Sequence, residues 1–469
     1  MSDYFISRYL NVINLGETAL LFNGTNGCLD EVSKELGDIL RRGNANLDFL
    51  STDDLLFLRK RGHLTPFPPD EERRRFREFA DALHRKKSSA RRLRGGLMLL
   101  MSYNCNLACK YCYQQQHRPA KSRAVMDENL VAELFEKHLA SMFPGVPMEN
   151  IDISFYGGEP FLPSNEKTIR KALEYAARYK MSSSAITNAT QVDVMADIFG
   201  EGPGKVNRVQ VSLDGNRAAH DASRVPSSGT GTFDKIIANI RLLLDKGAQV
   251  SVRLNLDRNS LPTVPALLQY LKEQGIAGHP RATVYGNPLH DGIARVDDTD
   301  FVDLTDLSAK MLGMGVDLEH PVSLKANDMK YLYNLEKGLG LSTTCFCMQT
   351  TQNALIVDPF KDIYACFEEA GYPEFRMGSI GEGGVEFFPL RETYMKRHVA
   401  NMEDCTACSV ALACGGQCGV RCRMKTGDLF KPHCADFKEV VLNAVKHAYL
   451  KRQKQTDSCA ASIREAAAT

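Results

Sequence analysis

The hydrophobic positions of residues 97–285 occur in short runs that are rich in β-forming residues. Stretches of ten or more residues with helical spacing separate most of these runs. Such an alternation of strands and helices predicts βα units and a parallel sheet that is buried on both faces. The six predicted strands are at residues 97–101, 151–155, 185–187, 208–213, 249–254 and 282–285. We therefore predict an α/β fold, with its chemistry gathered at the carboxyl ends of the strands.

A different pattern precedes the first of these strands. Two short strands are predicted at residues 8–13 and 18–22, and Asn-Gly turn dipeptides follow them. We expect Asp30 to cap a helix that ends at Gly43, and a second helix to begin after residues 51–54 and to end near Arg61. Strands followed by helices suggest a small winged-helix-like domain, which with a basic linker fills residues 1–95. A small helical cap over the sheet is the alternative interpretation.

Composition and charge restrict the class of protein. The 469 residues suffice for two or three domains, and 58 basic against 57 acidic side chains leave a net charge of +1. This balance argues against a nucleic-acid or membrane partner. The sequence has neither the apolar run of about 20 residues that a membrane span needs nor a secretory signal. Fourteen cysteines in such a chain indicate metal ligands in a reducing cytoplasm rather than a disulfide framework.

The first group of cysteines follows the first predicted strand of the sheet. Cys105, Cys109 and Cys112 have the spacing C-x3-C-x2-C. Three thiolates on one compact loop can hold an iron–sulfur cluster and leave its fourth iron open to another ligand. A structural zinc site would need a fourth protein ligand and usually pairs two C-x2-C units. The spacing therefore indicates a cluster that takes part in chemistry.

Motifs at the ends of the next strands lead to a family resemblance. Tyr111 precedes the third cysteine, Tyr156-Gly157-Gly158-Glu159-Pro160 follows the second strand, and Thr187-Asn188 and residues 211–215 close the third and fourth. In this order the motifs resemble those of the radical S-adenosylmethionine (SAM) enzymes. The resemblance implies a partial (β/α)6 barrel that binds SAM and one 4Fe–4S cluster. The sequence departs from the family pattern at Ala189, where the family often has glycine.

The same resemblance implies a set of SAM contacts. The Gly-Gly-Glu-Pro motif would receive the ammonium group of SAM, and Ser212 would bind its ribose. Arg224 would bind its carboxylate, because a guanidinium can make two parallel hydrogen bonds to a carboxylate. The implied SAM-binding residues are Tyr111, Gly157, Gly158, Glu159, Asn188, Ser212, Arg224 and Asn255. Arg253 alternates with Asn255 on the fifth strand and is expected on the same face.

A second group of cysteines lies in residues 345–434. Its spacing resembles the seven-cysteine pattern of the SPASM extension, which binds two auxiliary 4Fe–4S clusters. Zinc is the alternative, but C-x5-C-x3-C is not a usual zinc spacing. The resemblance assigns Cys345, Cys366 and Cys418 to the first auxiliary cluster, with Cys347 as an undecided fourth ligand, and Cys405, Cys408, Cys414 and Cys434 to the second. Lys361 stands where the family usually has glycine, so a different turn is expected, and Cys422 receives no role.

The full pattern resembles radical SAM/SPASM maturases that modify ribosomally synthesised peptides. The resemblance implies a 5′-deoxyadenosyl radical, three 4Fe–4S clusters and a crosslink in a precursor peptide, with a thioether favoured over a carbon–carbon bond. Residues 1–95 are similar to a peptide-recognition domain and would bind the leader of that peptide, and flavodoxin or ferredoxin would be the reductant. The expected domains are residues 1–95, a barrel at 96–290, a connection at 291–344, a SPASM domain at 345–454 and a disordered tail at 455–469.

Two other functions stay open. A sulfatase-type maturase, which oxidises a cysteine or serine to formylglycine, would share the barrel and the SPASM region. Such enzymes generally start close to the cluster loop, whereas about 95 residues precede the first barrel strand here. A non-catalytic iron–sulfur electron carrier is the other alternative, and it would not need the motifs at successive strand ends.

Overall fold

The structure is a computed structural model of the 469-residue chain. The residues it describes are 4–43, 47–48, 50–91, 93–114, 124–226, 229–289, 293, 310, 324–326, 343–347, 353–434, 437–447, 449–450 and 453. The expected tail at 455–469 and most of the expected connection at 291–344 lie outside these residues. The chain divides into two compact units. The first comprises residues 1–86, 328–347 and 397–469, and the second comprises residues 87–327 and 348–396.

The first unit contains two small sheets. Its strands are β1 (Phe5–Ile6), β2 (Leu10–Asn14), β3 (Thr18–Asn23), β4 (Leu29–Ser33) and β5 (Leu64–Thr65). β2, β3 and β4 form an antiparallel sheet with β3 in the centre, and β1 pairs with β5. The helices of residues 1–95 are Lys34–Arg42, Thr52–Lys60 and Pro69–Arg91. Strand and helix side chains share a core of Leu21, Leu40, Leu47, Leu58 and Leu64.

The predicted start of the first helix is wrong. Asp30 lies in β4, where it is paired with Leu21 of β3, and the helix begins only at Lys34 with the Ser33 side chain as its N-cap. The Asp30 carboxylate instead accepts hydrogen bonds from Arg61 Nε at 2.8 Å and interacts with His63 Nε2 at 2.7 Å. Long-range pairing and these partners prevail over a local capping signal. The second predicted helix is confirmed at Thr52–Lys60.

Short helices carry the cysteine-rich part of the first unit. They are Glu403–Thr406, Ala411–Cys414 and Gly419–Thr426, and a 3-10 turn at Val399–Asn401 precedes them. Residues 437–447 are also helical. Among the helices within the described ranges, none is long and apolar enough to cross a membrane.

Within the described residues, the second unit is built on one eleven-stranded sheet. Its strands are β6 (Gly95–Leu100), β7 (Ile151–Tyr156), β8 (Ser183–Thr187), β9 (Arg208–Leu213), β10 (Gln249–Leu256), β11 (Ala282–Pro288), β12 (Leu324–Ala326), β13 (Ala354–Val357), β14 (Asp362–Tyr364), β15 (Gly378–Gly381) and β16 (Gly384–Phe387). β6 to β11 are parallel neighbours in chain order, which confirms the six predicted strands. β12 continues the parallel order beside β11, whereas β13 pairs in parallel with β6 and leads into antiparallel β14 to β16.

Helices connect most of these parallel strands. The α-helices of ten or more residues are Glu166–Tyr179, Phe233–Asp245 and Val264–Glu273. Between β6 and β7, helix Glu128–Glu133 continues through a π-helical stretch, Leu134–His138, into Leu139–Met142. Along β10 the side chains alternate, so that Val250, Val252 and Leu254 are buried in the core while Arg253 and Asn255 line a cavity at the strand ends.

Candidate active site

A cavity with about 1040 Å³ of space, partly open to solvent, lies at the carboxyl ends of the parallel strands. This is the position that α/β architecture favours for a site. Ten of the predicted site residues line it, namely Cys105, Cys109, Tyr111, Cys112, Gly157, Gly158, Asn188, Ser212, Arg224 and Asn255. The loops after β6, β7 and β8 and the ends of β9 and β10 therefore contribute to one site.

The loop after β6 carries the three cysteines into the cavity wall. The Leu107 amide donates to Cys105 Sγ at 3.4 Å, and the Cys112 amide donates to the Cys109 carbonyl at 3.1 Å. Asn188, at the end of β8, donates to Cys105 Sγ at 3.7 Å. In the described ranges, no three His, Cys, Asp or Glu side chains converge on a single-ion site. Cluster thiolates each ligate a different iron, so a cluster loop does not need such convergence.

Gly157 and Gly158 are required by the backbone of this loop. A Cβ at Gly157 would lie 2.4 Å from the Ser102 carbonyl oxygen, and one at Gly158 would lie 2.0 Å from the Asn104 carbonyl oxygen. Gly157 also has φ +143°, a conformation that favours glycine. The two glycines therefore let the end of β7 pack directly against the cysteine loop, whereas the sequence suggested only a close approach to a ligand.

Glu159 is the predicted SAM contact that the structure does not bring to the cavity. Its side chain is fully buried, and its carboxylate accepts hydrogen bonds from Thr187 Oγ1 at 2.6 Å, from the Asn188 amide at 2.7 Å and from the Phe161 amide at 3.1 Å. Burial raises the pKa of this carboxyl group, while the three hydrogen bonds favour its charged form. The carboxylate thus ties the end of β7 to the end of β8.

A buried polar network joins the third cysteine of the loop to β9 and β10. Tyr111 Oη donates to Asp214 at 2.6 Å and accepts from Arg224 Nη1 at 2.6 Å. Asn255 Nδ2 donates to the other Asp214 oxygen at 3.0 Å, and Arg224 lies 3.6 Å from that oxygen. Burial would lower the pKa of Arg224, but Tyr111, Cys109 and Asp214 hold it well above its ordinary value. Arg224 therefore remains a cation at the cavity wall.

His220 and Asp221 shape the loop beside this network. His220 is buried and accepts a hydrogen bond from the Asp214 amide at 3.3 Å. Asp221 accepts from the amides of Thr232 and Phe233 at 2.8 and 3.0 Å, at the start of helix Phe233–Asp245. His220 thereby holds the backbone at Asp214, and Asp221 holds the start of the following helix.

The sequence did not predict a site role for the remaining lining residues of the cavity, although Tyr156 and Thr187 belong to the motifs and Arg253 was expected on the face of Asn255. These remaining residues are Tyr113, Gln114, Tyr156, Ile186, Thr187, Gln210, Arg253, Pro288, Leu289, Phe367 and Glu368. The hydroxyls of Tyr113 and Tyr156 share a hydrogen bond, and burial raises the pKa of both. The Tyr156 and Phe367 rings lie 5.3 Å apart. Tyr113 and Tyr156 directly adjoin Cys112 and Gly157, which is the signal that could have identified them.

The four cysteines assigned to the second auxiliary cluster all belong to the first unit. The Cys408 amide donates to the Cys405 carbonyl at 3.1 Å, which closes a tight turn between these two cysteines. Burial is the main cause that raises the pKa of Cys405, and the nearby thiols of Cys414, Cys408 and Cys434 raise it further. Burial also raises the pKa of Cys414 to about 12. Thiols that affect one another in this way become thiolates readily only when a cation compensates them, so this donor set fits a metal cluster.

The remaining cysteines are distributed differently. Cys345, Cys347 and Cys418 belong to the first unit and Cys366 to the second, so the first auxiliary cluster stays a prediction. Cys422 is buried and accepts hydrogen bonds from Arg397 Nη2 at 3.3 Å and from the His433 amide at 3.4 Å. Arg397 is itself buried and also donates to three backbone carbonyls. Cys422 is therefore part of a buried structural contact.

Comparison with protein families identifies the sheet and its cysteine loop. Residues 99–258 match the model of the radical SAM superfamily. This part of the chain is similar to a radical SAM domain. The match includes β7 to β10 and every cavity residue from the cysteine loop to Asn255.

Curated relatives of this chain differ in how much of it they match. A serine-type anaerobic sulfatase-maturating enzyme of Klebsiella aerogenes is 32% identical over 145 residues, 30% of this chain and 34% of that protein. A cysteine-type enzyme of Clostridium perfringens is 24% identical over 72% of this chain and 92% of that protein. The radical SAM cyclopropyl synthase TigE of Paramaledivibacter caminithermalis is 21% identical over 91% of this chain and 92% of that protein. The chain spans less than half the length of the first curated relatives it matches.

Solved structures show the same fold. The enzyme anSMEcpe with bound AdoMet has a TM-score of 0.58 at 18% identity, covering 77% of this chain and 98% of that one. Streptococcus suis SuiB bound to its precursor peptide SuiA has a TM-score of 0.51 at 15% identity, covering 92% of this chain and 99% of that one. At these identities the likeness is one of fold.

A radical SAM domain uses a 4Fe–4S cluster and SAM, and the cavity residues fit both groups. Three cysteines line it, and the buried Nε atoms of Arg224 and Arg253 and the Nε2 atom of Gln114 have no hydrogen-bond partner among the residues that the structure describes. Buried donors without a partner are costly unless a ligand accepts from them. The cavity therefore offers thiolates for iron and hydrogen-bond donors for the carboxylate and other acceptor groups of a polar cofactor.

Two departures from the family pattern retain the glycine-like backbone. Ala189, after β8, has φ +61°, and Lys361, in the turn between β13 and β14, has φ +65°. The expectation of a different turn at Lys361 stays a prediction, although this residue adopts a left-handed φ that glycine favours. Its Nζ atom lies 2.7 Å from a Glu133 oxygen, and its amide donates to the Asp358 carbonyl at 3.1 Å. These contacts help to hold a left-handed conformation that costs a non-glycine residue about 1–2 kcal/mol.

Proposed function

We propose that this protein is a radical SAM/SPASM maturase that installs a crosslink in a ribosomally synthesised precursor peptide. A thioether is the favoured product and a carbon–carbon bond the other. The observation that carries the proposal is the single cavity in which the three cysteines of the loop meet donors from four further strand ends. When bound there, the cluster and SAM supply a 5′-deoxyadenosyl radical that removes a hydrogen atom from a peptide residue. The similarity to SuiB and TigE over more than nine-tenths of this chain supports a peptide substrate.

The cavity residues then divide between cofactor and substrate. Cys105, Cys109 and Cys112 would ligate the radical SAM cluster. Backbone groups of Gly157 and Gly158 would meet the ammonium end of SAM, with Glu159 holding their strand in place rather than touching the ligand. Ser212 would bind the ribose, and Arg224 would bind the carboxylate. Tyr111, Asn188 and Asn255 would complete the contacts.

The lining residues that are not assigned to the cofactor would receive the peptide. Tyr113, Tyr156 and Phe367 provide an aromatic surface, and Glu368 and Arg253 provide charge of both signs. Aromatic side chains combined with polar groups that can fix orientation are typical of ligand sites. This arrangement suits a peptide side chain placed beside the cofactor.

The auxiliary cysteines would hold two further 4Fe–4S clusters. Cys405, Cys408, Cys414 and Cys434 would ligate the second of them, in agreement with the mutual effect of these thiols on their pKa values. Cys345, Cys366 and Cys418, with or without Cys347, would ligate the first. These clusters would accept the electron that is released as the new bond closes, and flavodoxin or ferredoxin would reduce the barrel cluster.

The small sheet of the first unit would bind the leader of the peptide. β2 and β4 form its two edges, and an edge strand presents backbone groups that can pair with an added strand. Backbone hydrogen bonds would dominate such an interaction. Its affinity should therefore survive most side-chain changes in the leader but not a proline in the paired segment.

A sulfatase-type maturase is the second candidate, and the fold of anSMEcpe favours it. The match to that structure covers 77% of this chain, whereas the match to SuiB covers 92%. The additional coverage favours the peptide maturase. A non-catalytic electron carrier would not require the cavity and its unpartnered donors.

The decisive experiment is anaerobic reconstitution followed by incubation with SAM and dithionite. We expect about twelve irons per chain, and about eight after Cys105, Cys109 and Cys112 are replaced together by Ala. Two peptides are then offered side by side: a cysteine-containing precursor peptide from a neighbouring reading frame and a sulfatase-derived cysteine peptide. Loss of two hydrogen atoms from the precursor, with 5′-deoxyadenosine formation, supports the proposal. Formylglycine in the sulfatase peptide alone would transfer the assignment to the second candidate, and tightly bound zinc in place of eight irons would exclude the SPASM assignment.

A further inference from the structure

The N-terminal part of the first unit packs directly on the turn that carries Cys405 and Cys408. Tyr9 Oη donates to the Thr406 carbonyl at 2.6 Å. Tyr9 is 1% exposed and Thr406 is fully buried. The Thr406 carbonyl belongs to the peptide group whose N–H is that of Ala407, so one tyrosine hydroxyl fixes the peptide group midway between the two cysteines.

Arg73 holds the same turn from helix Pro69–Arg91. Its Nε atom donates to Thr406 Oγ1 at 2.8 Å, and its Nη2 atom donates to the Glu403 carbonyl at 2.9 Å and to the Glu403 carboxylate. Arg77 donates to the other Glu403 oxygen at 2.5 Å. Two arginines one helical turn apart thus clamp the start of the cysteine segment.

A third contact lies on the far side of the turn. Ser409 Oγ donates to Asn11 Oδ1 at 2.6 Å, and both residues are buried. A Cβ at Gly24 would lie 1.7 Å from the Ser409 carbonyl oxygen. The φ angle of Gly24 is not positive, so its backbone conformation does not require glycine. The close approach of the Ser409 carbonyl is what requires glycine at this position.

Tyr9 itself is held rigidly. Its ring stacks on Phe76 of helix Pro69–Arg91 with 4.5 Å between ring centroids. The preceding residues are fixed by Glu72 of the same helix, which accepts from Ser7 Oγ at 2.6 Å and from the Arg8 amide at 2.8 Å. A side chain with so little freedom can impose one orientation on the peptide group that it binds.

We infer that Tyr9 and Arg73 are positioning residues for the second auxiliary cluster. They act through the backbone between Cys405 and Cys408, and they make the N-terminal domain part of the setting that determines the reduction potential of that cluster. Potentials of iron–sulfur clusters depend on the hydrogen bonds and dipoles around their sulfur ligands. The inference rests on the proposed function, because it requires a cluster at Cys405, Cys408, Cys414 and Cys434.

The test is a potentiometric titration followed by electron paramagnetic resonance. It uses the full chain with Cys105, Cys109 and Cys112 replaced by Ala, so that only the auxiliary clusters, about eight irons, remain. In this background, Tyr9→Phe should leave the iron content unchanged and change the reduction equilibrium of one cluster at least threefold. That change is roughly 28 mV, since tenfold corresponds to 59 mV for one electron. The other cluster should keep its potential, and the signal that moves should be the one that Cys408→Ala removes.

A second variant and a matched control complete the design. Arg73→Gln, at a more exposed side chain, should move the same signal and keeps the test valid if Tyr9→Phe does not fold. Tyr449→Phe removes a tyrosine hydroxyl of the same unit, which donates to Glu31 at 2.6 Å, and should move neither signal. Unchanged potentials in both Tyr9→Phe and Arg73→Gln, with both clusters present, would overturn the inference alone. Absence of the Cys408-dependent cluster from the parent protein would overturn the cluster assignment in the proposed function as well.

Discussion

Replacement of Gly158 by alanine is expected to disable the cluster loop without touching a cysteine. The added Cβ would lie 2.0 Å from the Asn104 carbonyl oxygen and 2.8 Å from the Tyr103 carbonyl oxygen. Ordinary contact begins near 3.4 Å, so Asn104 would have to move by about 1.4 Å, the difference between 3.4 and 2.0 Å. Asn104 directly precedes Cys105, and both obstructing atoms are backbone, which has no alternative rotamer.

The magnitude follows from two costs. Forcing a methyl group into packed backbone costs about 1–3 kcal/mol. Displacing Asn104 also weakens the hydrogen bond from the Glu159 amide to its carbonyl, 2.8 Å in the structure, at about 0.5–1.5 kcal/mol. The sum is about 1.5–4.5 kcal/mol of stability. Metal–ligand distances tolerate only about 0.2 Å, so the larger consequence is loss of the cluster.

The assay is iron content and 5′-deoxyadenosine formation after anaerobic reconstitution. We expect Gly158→Ala to lose about four of about twelve irons and to lose SAM cleavage. Gly381→Ala is the neutral control, because nothing lies within 4 Å of its added Cβ and its φ is not positive. Gly202→Ala, with φ +95° and nothing within 4 Å, isolates the backbone cost of about 1–2 kcal/mol. Full iron and wild-type SAM cleavage in Gly158→Ala would refute the reasoning.

Three further predictions concern buried polar groups. Burial, with help from the ring of His84 stacked 4.0 Å away, lowers the pKa of His398 to about 4 from an ordinary 6.5. The unfolded state therefore binds a proton that the folded state does not, and on the order of 3 kcal/mol of stability should be lost as the pH falls from 6.5 to 4. Tyr103→Phe should cost about 1–3 kcal/mol in urea unfolding at pH 7.5, because its hydroxyl donates at 2.7 Å to buried Asp358. Burial raises the pKa of Asp358 to about 6, so the cost should shrink at pH 5. Arg224→Gln should weaken SAM binding about 10- to 150-fold in calorimetry with iron unchanged, since a charge-assisted contact of about 1.5–3 kcal/mol is lost.

Each of these predictions has a contrary outcome. His398→Phe keeps the ring stack without a titrating group, so an acid loss as steep as that of the wild type would assign the effect to other groups. If Tyr103→Phe loses the same stability at pH 5 and pH 7.5, the loss does not depend on the charge of Asp358. Arg208→Gln, at an exposed pair 3.4 Å from Asp152, is the control for Arg224. Equal SAM affinity in the two arginine variants would mean that Arg224 does not bind the carboxylate of SAM.

The sequence predicted the elements whose signals are local. The six parallel strands were visible because their β-rich runs alternate with helical stretches, and the cavity residues were visible because motifs end successive strands. The sequence could not show the parallel pairing of β13 with β6, since their partners Ala354 and Gly96 lie far apart in the chain. A sequence motif also identifies residues without showing where their side chains point. Glu159 therefore resembled a ligand contact, although its carboxylate turns inward to Thr187 and Asn188.

The sequence did not identify the aromatic residues of the cavity lining, for a related reason. Tyr113 and Tyr156 adjoin motif residues, but an aromatic residue beside a motif is as often core as site. Phe367 and Glu368 come from a segment after β14, which the pairing of β13 with β6 brings to the β6 loop. Asp30 shows the converse error, because an acidic residue before an amphipathic run fits a helix cap as well as it fits a strand.

The discontinuous build of the first unit has a consequence for biosynthesis. Residues 1–86 are synthesised well before the segment from 397 that packs on Tyr9 and Arg73, which is made 311 residues later, the difference between 397 and 86. At about 5–20 residues per second, the N-terminal segment waits roughly 15–60 s for its partner. The second unit, whose segments lie between the two, can assemble during this interval. The later segment thus completes a unit that the earlier one begins, so deletion of either segment removes a large part of that unit. Point substitutions are therefore needed to separate the proposed leader binding from the proposed cluster binding.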